Sequence, residues 1–296
     1  MRKLFLILGV FFLAISCQTG GETNGKPVVS VSIIPQQFFV EELAGDLVEV
    51  NVLIPPGASP ATYEPTVAQL ARLDRSDVYL RIGYIGFEQS WMEKLSSTNP
   101  LMKIVDLSEG VDLILEPEGM AVDHSGHAHD DHAHHGTDPH IWMSAINANI
   151  IARNIHRELL LLFPGEKEYL DARLMRFSSS LDSLHLEISR KLDGLENRKF
   201  MIYHPALTYY ARDYGLEQLP LEYEGKSPAP SHMREITDLA QENQINKILI
   251  QSQFDSDNAE ILARETESSL IQFDPLDRYW RKQMSYIAEQ LNPPLQ

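Results

Sequence analysis

The chain has 296 residues, 43% of them hydrophobic and 23% charged, enough for a sizeable core divided into two lobes. Its formal net charge of −17 repels phosphate backbones and excludes a nucleic-acid-binding role. The single cysteine excludes any disulfide framework.

At the N-terminus, Arg2 and Lys3 precede an apolar run from Leu4 to Ile15. That run is too short to span a bilayer and has the length of a signal-peptide core. It ends in Ala14-Ile15-Ser16-Cys17, a small residue before the lone cysteine. The pattern predicts a lipoprotein signal over residues 1–16, with Cys17 as the lipid-bearing first residue of the mature chain. Ala14 stands where such signals more often carry Leu. Residues 17–27 read as a Gly/polar tether with nothing to pack. The predicted location is extracytoplasmic, on a membrane or cell surface.

Short apolar runs bounded by turn residues predict strands at Val28–Ile34, Val48–Ile54, Val78–Ile82 and Lys103–Leu107. Helical patterns at Gln36–Ala44 and Thr66–Ser76 lie between them. From Ile146 the pattern is helical, interrupted at Pro164, a residue suited to the first turn of a new helix. Leu170, Leu174, Phe177, Leu181, Leu184, Ile188, Leu192 and Leu195 then form one stripe at steps of three and four, the signature of a long amphipathic helix. Further strands are predicted at Lys199–Tyr203, Lys247–Ile250 and Ser269–Phe273, and helices at Ser231–Asn243, Ala259–Glu267 and Tyr279–Leu291. The fold class is therefore α/β: two lobes, each with a mainly parallel sheet flanked by helices, joined by one long rigid helix. The expected boundaries are an N-terminal lobe over 28–164, a linking helix over 165–196 and a C-terminal lobe over 197–296.

Six of the 11 histidines crowd into one segment: His124, His127, His129, His132, His134 and His135, interleaved with Asp123, Asp130 and Asp131. Without apolar periodicity this stretch, 123–136, reads as a loop, and neutral imidazoles on a loop can wrap a metal ion adaptively. Floppy ligands lose entropy on binding, so the tract suits capture or buffering better than a primary site. In open parallel sheets, ligands bind outside the carboxyl ends of strands. His204 follows one predicted strand and Asp274 another, and His140 stands just past the tract in TDPHIWM. His156, His185 and His232 lie within helical patterns and read as structural or surface residues. No HExxH helix, GxSxG elbow or mature thiol is present, and Glu224-Gly225-Lys226-Ser227 lacks the spacing of a phosphate loop. Binding rather than turnover is expected.

The stretches SIIPQQFFVEELAGD, PPGASPATYEP, DPHIWM, YHPALTYYARDYGL, EGKSPAPS and QFDSDNAEILARETESSLIQFDPL, in this order, resemble the metal-binding solute-binding lipoproteins of zinc and manganese ABC importers. The resemblance covers nearly the whole mature chain. It implies a monomer of two α/β lobes bridged by a helix, with the transported metal between the lobes and an ABC permease as partner. It implies His140, His204 and Asp274 as ligands. The usual first ligand is a His before Tyr-Glu-Pro, where this chain has Ala61. A methyl cannot coordinate, so water, a loop histidine, or one of Glu64, Gln36 and Gln37 is expected in that place; the alternative is a degraded affinity and a different ligand. His204, where some members carry Glu, favours zinc over manganese. Manganese cargo, or a surface metal buffer or adhesin without a permease, are the alternatives.

Overall fold

The computed structural model describes residues 25–115, 136–222, 230–254 and 256–293, with the backbone alone at 230–232. The first sheet holds β1 (Val28–Val31), β2 (Glu49–Val52), β3 (Val78–Arg81) and β4 (Lys103–Asp106), in the order β2-β1-β3-β4. The second holds β5 (Lys199–Ile202), β6 (Glu217–Pro220), β7 (Lys247–Gln251) and β8 (Ser269–Phe273), in the order β6-β5-β7-β8. Every pairing is parallel, and the two lobes repeat one topology. Parallel neighbours need crossover connections, which the helices supply.

The N-terminal lobe carries α1 (Ile34–Ala44), α2 (Val67–Leu73) and α3 (Gly86–Thr98). Strand β1 ends three residues before the expected limit, because Pro35 starts α1. Proline in a first helical turn sacrifices no hydrogen bond. Thr66 caps α2, its hydroxyl taking the Gln69 amide at 3.4 Å while the Gln69 side chain returns to the Thr66 amide at 2.8 Å. The expected helix over Thr66–Ser76 is thus shorter, with Thr66 as its cap.

Two long antiparallel-connected helices, α4 (Ala145–Leu162) and α5 (Lys167–Lys191), join the lobes. Leu170, Phe177, Leu181, Leu184 and Ile188 of α5 are buried, as the stripe predicts. The helix stops at Lys191, short of the expected 196: Leu192 is its C-cap and Gly194 turns the chain at φ 75°. Arg173 of α5 donates to the carbonyls of Glu41 and Glu42, both at 2.8 Å, covering the orphan carbonyls at the end of α1.

The C-terminal lobe adds α6 (Thr208–Tyr214), α7 (Pro230–Glu242), α8 (Asp257–Glu265) and α9 (Trp280–Leu291). Alternation along β5 splits its side chains between two cores. Phe200 and Ile202 join a large cluster that runs through α4, α5 and α9 into the N-terminal sheet. Met201 and Tyr203 face a smaller one beneath α7 and α8. The last helix does not stay within its lobe. Trp280 packs edge-on to Phe39 at 5.1 Å, and Phe39 in turn lies 5.9 Å from Phe177 of α5. One continuous apolar core therefore ties both lobes to the linking helix. No helix among the described residues is long and apolar enough to cross a membrane.

Candidate metal centre

The carboxyl ends of β5 to β8 gather four polar residues: His204 after β5, Glu222 after β6, Gln251 at the end of β7 and Asp274 after β8. Gln251, 1% exposed, pins the backbone of His204 from both sides, accepting from its amide at 3.3 Å and donating to its carbonyl at 2.5 Å. The His204 ring is then oriented by Glu222, whose Oε1 lies 2.6 Å from Nδ1. Phe254 packs on the ring with centroids 5.5 Å apart.

His140 arrives from the segment that follows the His-rich tract. Asp138 Oδ1 accepts from the His140 amide at 2.8 Å and lies 3.0 Å from Nδ1. Burial alone would raise the Asp138 carboxyl, but the charge and hydrogen bonds of His140, with a further bond from Thr208, hold it below its ordinary value. Trp142 packs against the ring at 5.3 Å. The segment is fastened to the C-terminal lobe at three points. The Tyr209 hydroxyl donates to the Asp138 carbonyl at 2.9 Å, the Trp142 indole donates to the Pro275 carbonyl at 2.9 Å, and the Trp280 indole donates to the Trp142 carbonyl at 2.9 Å. Burial pushes the Tyr209 phenol up to about 12, so it stays a neutral donor. The same hydroxyl accepts from the Ile114 amide at 3.2 Å, and an isolated bridge pairs Leu115 with Thr137. Both roots of the His-rich segment are thereby clasped beside His140.

With each Nδ1 held by a carboxylate, the two rings meet through their other nitrogens: Nε2 of His204 lies 3.3 Å from Nε2 of His140. Two imidazole nitrogens each about 2.0–2.1 Å from one tetrahedral zinc ion stand about 3.3–3.4 Å apart. The pair already has that separation. Asp274 uses Oδ1 to accept from the Leu276 amide at 2.8 Å and the Gln253 amide group at 2.6 Å, leaving Oδ2 without a partner among the described residues. No group of three His, Cys, Asp or Glu side chains able to hold an ion is formed among the described residues. The structure thus brings His140 and His204 together, without Asp274 as a third member of the group.

The three side chains expected to replace the missing ligand fare differently. Gln36 is fully buried and fully engaged: Oε1 accepts from the amides of Ser32 and Ile33, both at 3.0 Å, and Nε2 donates to the Leu80 carbonyl at 2.7 Å. It caps the start of α1, and its amide is spent on the chain's own backbone. Gln37 donates to Glu41 one turn along the same helix at 2.7 Å. Glu64 is exposed on the loop that carries Ala61. That loop rests on the start of α3, where the Phe87 amide donates to the Pro60 carbonyl at 2.8 Å. Gly86 is required there, because a Cβ would lie 2.8 Å from the Ala61 carbonyl oxygen. His124, His127, His129, His132, His134 and His135, and Cys17 with the signal segment, lie outside the described residues. His156 and His185 are structural: one lies 3.0 Å from Asp171, the other stacks on Tyr214.

Two all-parallel lobes of identical topology, bridged by a long helix and with a histidine pair where they meet, define a two-lobed solute-binding protein. The model of the ZnuA family, the periplasmic component A of the zinc-uptake complex, matches residues 29–290, and the chain belongs to that family. It is 26% identical over 287 residues to the zinc-binding lipoprotein AdcA of Streptococcus pneumoniae, covering 94% of this chain but 56% of that protein. This chain therefore spans little more than half the length of the pneumococcal relative. It is 27% identical over 274 residues to the high-affinity zinc uptake system protein ZnuA of Bacillus subtilis, covering 88% of this chain and 84% of the relative. Among solved structures, a ZnuA crystal structure superposes with a TM-score of 0.82 at 35% identity, covering 90% of this chain and 98% of the other. A zinc-bound ZnuA lacking residues 138–173 of its own numbering gives 0.81 at 34% identity, covering 92% and 100%.

Proposed function

We propose that this chain captures a zinc ion outside the cytoplasm and delivers it to an ABC permease. The observation that carries this reading is the His140–His204 pair, whose 3.3 Å Nε2 separation equals the bite of a tetrahedral zinc ion. Asp274 completes the protein ligands through its unengaged Oδ2, closing on the ion as it binds. The fourth position, beside Ala61, goes to water or to a histidine of the tract. Two imidazoles favour zinc over manganese, which prefers oxygen donors. The relatives named for zinc uptake and zinc binding support the same cargo.

Binding, not turnover, fits the chemistry. An open zinc position can acidify water, but hydrolysis needs a free base beside it. The two carboxylates in contact with the pair, Asp138 and Glu222, are both engaged with Nδ1 atoms. We read Cys17 as the lipid anchor, which keeps a monomeric receptor near its permease.

The test uses the mature chain without an affinity tag, stripped of metal and titrated with zinc by calorimetry. One tightly held zinc per chain is expected, bound more tightly than manganese, with any further uptake by the His-rich tract weaker. Absence of stoichiometric uptake of either metal would sink the proposal. In cells, loss of the cognate permease should abolish the growth advantage this protein gives under zinc limitation. Its persistence would instead favour a surface buffer or adhesin.

A further inference from the structure

We infer that Glu222 is a positioning residue for the metal centre, acting through the imidazole of His204. The inference rests on the zinc-capture reading. Three observations separate Glu222 from an ordinary structural carboxylate. Its side chain is only 7% exposed, and its Oε1 lies 2.6 Å from Nδ1 of His204. Among the described residues that ring is the one hydrogen-bond partner of its carboxylate. The backbone of His204 does not need it, because Gln251 already holds both the amide and the carbonyl of that residue.

Asp138 offers the contrast. Its carboxylate serves the His140 ring, but it also takes the His140 amide two residues away and so builds the local turn. Glu222 follows another strand, 18 residues along the chain, and its bond to the ring is not part of the turn that carries His204. Burying a carboxylate is costly unless hydrogen bonds and a positive charge offset it. A dication on the far side of the same ring offsets it.

The chemistry follows from the geometry. A carboxylate at Nδ1 keeps the N–H there, so the lone pair is on Nε2, facing His140. It also makes that nitrogen a better donor to the ion. In a site where Ala61 replaces a ligand, one protein donor is missing. Glu222 adds negative charge close to the ion without entering its coordination shell, and so strengthens the ligands that remain.

The test has two arms. In the first, the metal-free protein is labelled with 15N and the tautomer of the His204 ring is read by NMR. The wild type is expected as the Nδ1–H tautomer, and E222A as a mixture containing Nε2–H. In the second arm, zinc is titrated into the wild type, E222Q, E222A and E222D. E222Q and E222A are expected to bind about 10- to 100-fold more weakly with unchanged stoichiometry. E222Q should keep the thermal unfolding of the metal-free wild type, and E222D should recover part of the affinity. An Nε2–H tautomer in the wild type overturns the assignment. So does zinc binding by E222Q and E222A within about threefold of the wild type, a difference under 1 kcal/mol. A wild type that binds no zinc would refute the capture reading, and the tautomer would still decide the role of Glu222.

Discussion

Trp280 donates its indole N–H to the carbonyl of Trp142 at 2.9 Å, and Trp142 donates its own to the carbonyl of Pro275, also at 2.9 Å. Both indoles are about 1% exposed. The relay fastens the segment bearing His140 to the turn bearing Asp274, across the boundary between the lobes. Geometry that is set before the ion arrives avoids an ordering cost at binding. Trp142→Phe keeps most of the ring but removes the donor, leaving a buried carbonyl at Pro275. We expect a loss of about 1–3 kcal/mol in chemical denaturation of the metal-free protein. Zinc affinity measured by calorimetry should fall as well, because His140 and Asp274 lose their common brace.

His140→Ala and His204→Ala should each weaken zinc binding far more than deletion of Asp123–Gly136. The two rings are held by Asp138, Glu222, Gln251 and Tyr209, whereas ligands on a loop must be ordered as they bind. Losing one of three ligands should cost at least about 100-fold, or 2.7 kcal/mol. Competition titration with a zinc chelator would measure all three variants on one scale. Equal losses would mean that the tract is the main site.

Most strands were legible because each is a short apolar run ending at a polar or turn residue, as in Ser269–Phe273, which is observed with those bounds. The exception is β6, Glu-Gln-Leu-Pro, which has one aliphatic side chain and ends on a proline that only an edge strand tolerates. Missing β6 meant missing Glu222, although it obeys the same strand-end rule that singled out His204 and Asp274. Helix α3 has no apolar stripe to mark it in the sequence, because its burial falls on few residues, among them Phe87 and Leu95. Gln36 shows the opposite limit. Nothing in the residue type distinguishes an amide that caps a helix from one that binds a metal, and its three backbone hydrogen bonds were not legible in the sequence. The Trp142–Trp280 relay joins positions 138 residues apart, beyond any local pattern.

Ala61→His should tighten zinc binding. The resemblance places a ligand at that position, and the loop that carries it is supported by the Pro60 carbonyl contact and by the close approach of Gly86. A fourth protein ligand would close the tetrahedron and displace the solvent ligand. We expect a gain of at least about tenfold, 1.4 kcal/mol, in competition titrations. A cobalt-substituted variant should show a d–d spectrum of different shape from the wild type. An unchanged affinity and spectrum would mean that residue 61 does not reach the ion.

Glu88 sets a pH dependence away from the ion. Its residue is 2% exposed, and its carboxyl accepts from the amides of Ile82 at 2.9 Å and Gly83 at 2.8 Å, with Ser32 in contact. Burial raises it from 4.5 to about 8, against the opposing pull of those hydrogen bonds and Arg81. A carboxyl raised on folding binds its proton more tightly in the native state. Its contribution is therefore complete below pH 4.5 and is lost as pH rises towards about 8. Within that window it should lower stability with a slope of up to about 1.4 kcal/mol per pH unit. Glu88→Gln carries no titrating group, so its unfolding free energy, measured in urea from pH 5 to about 8, should lack that slope. A variant and wild type with parallel pH profiles would show that Glu88 is ionised in the folded protein throughout, held by its three donors rather than neutralised by burial.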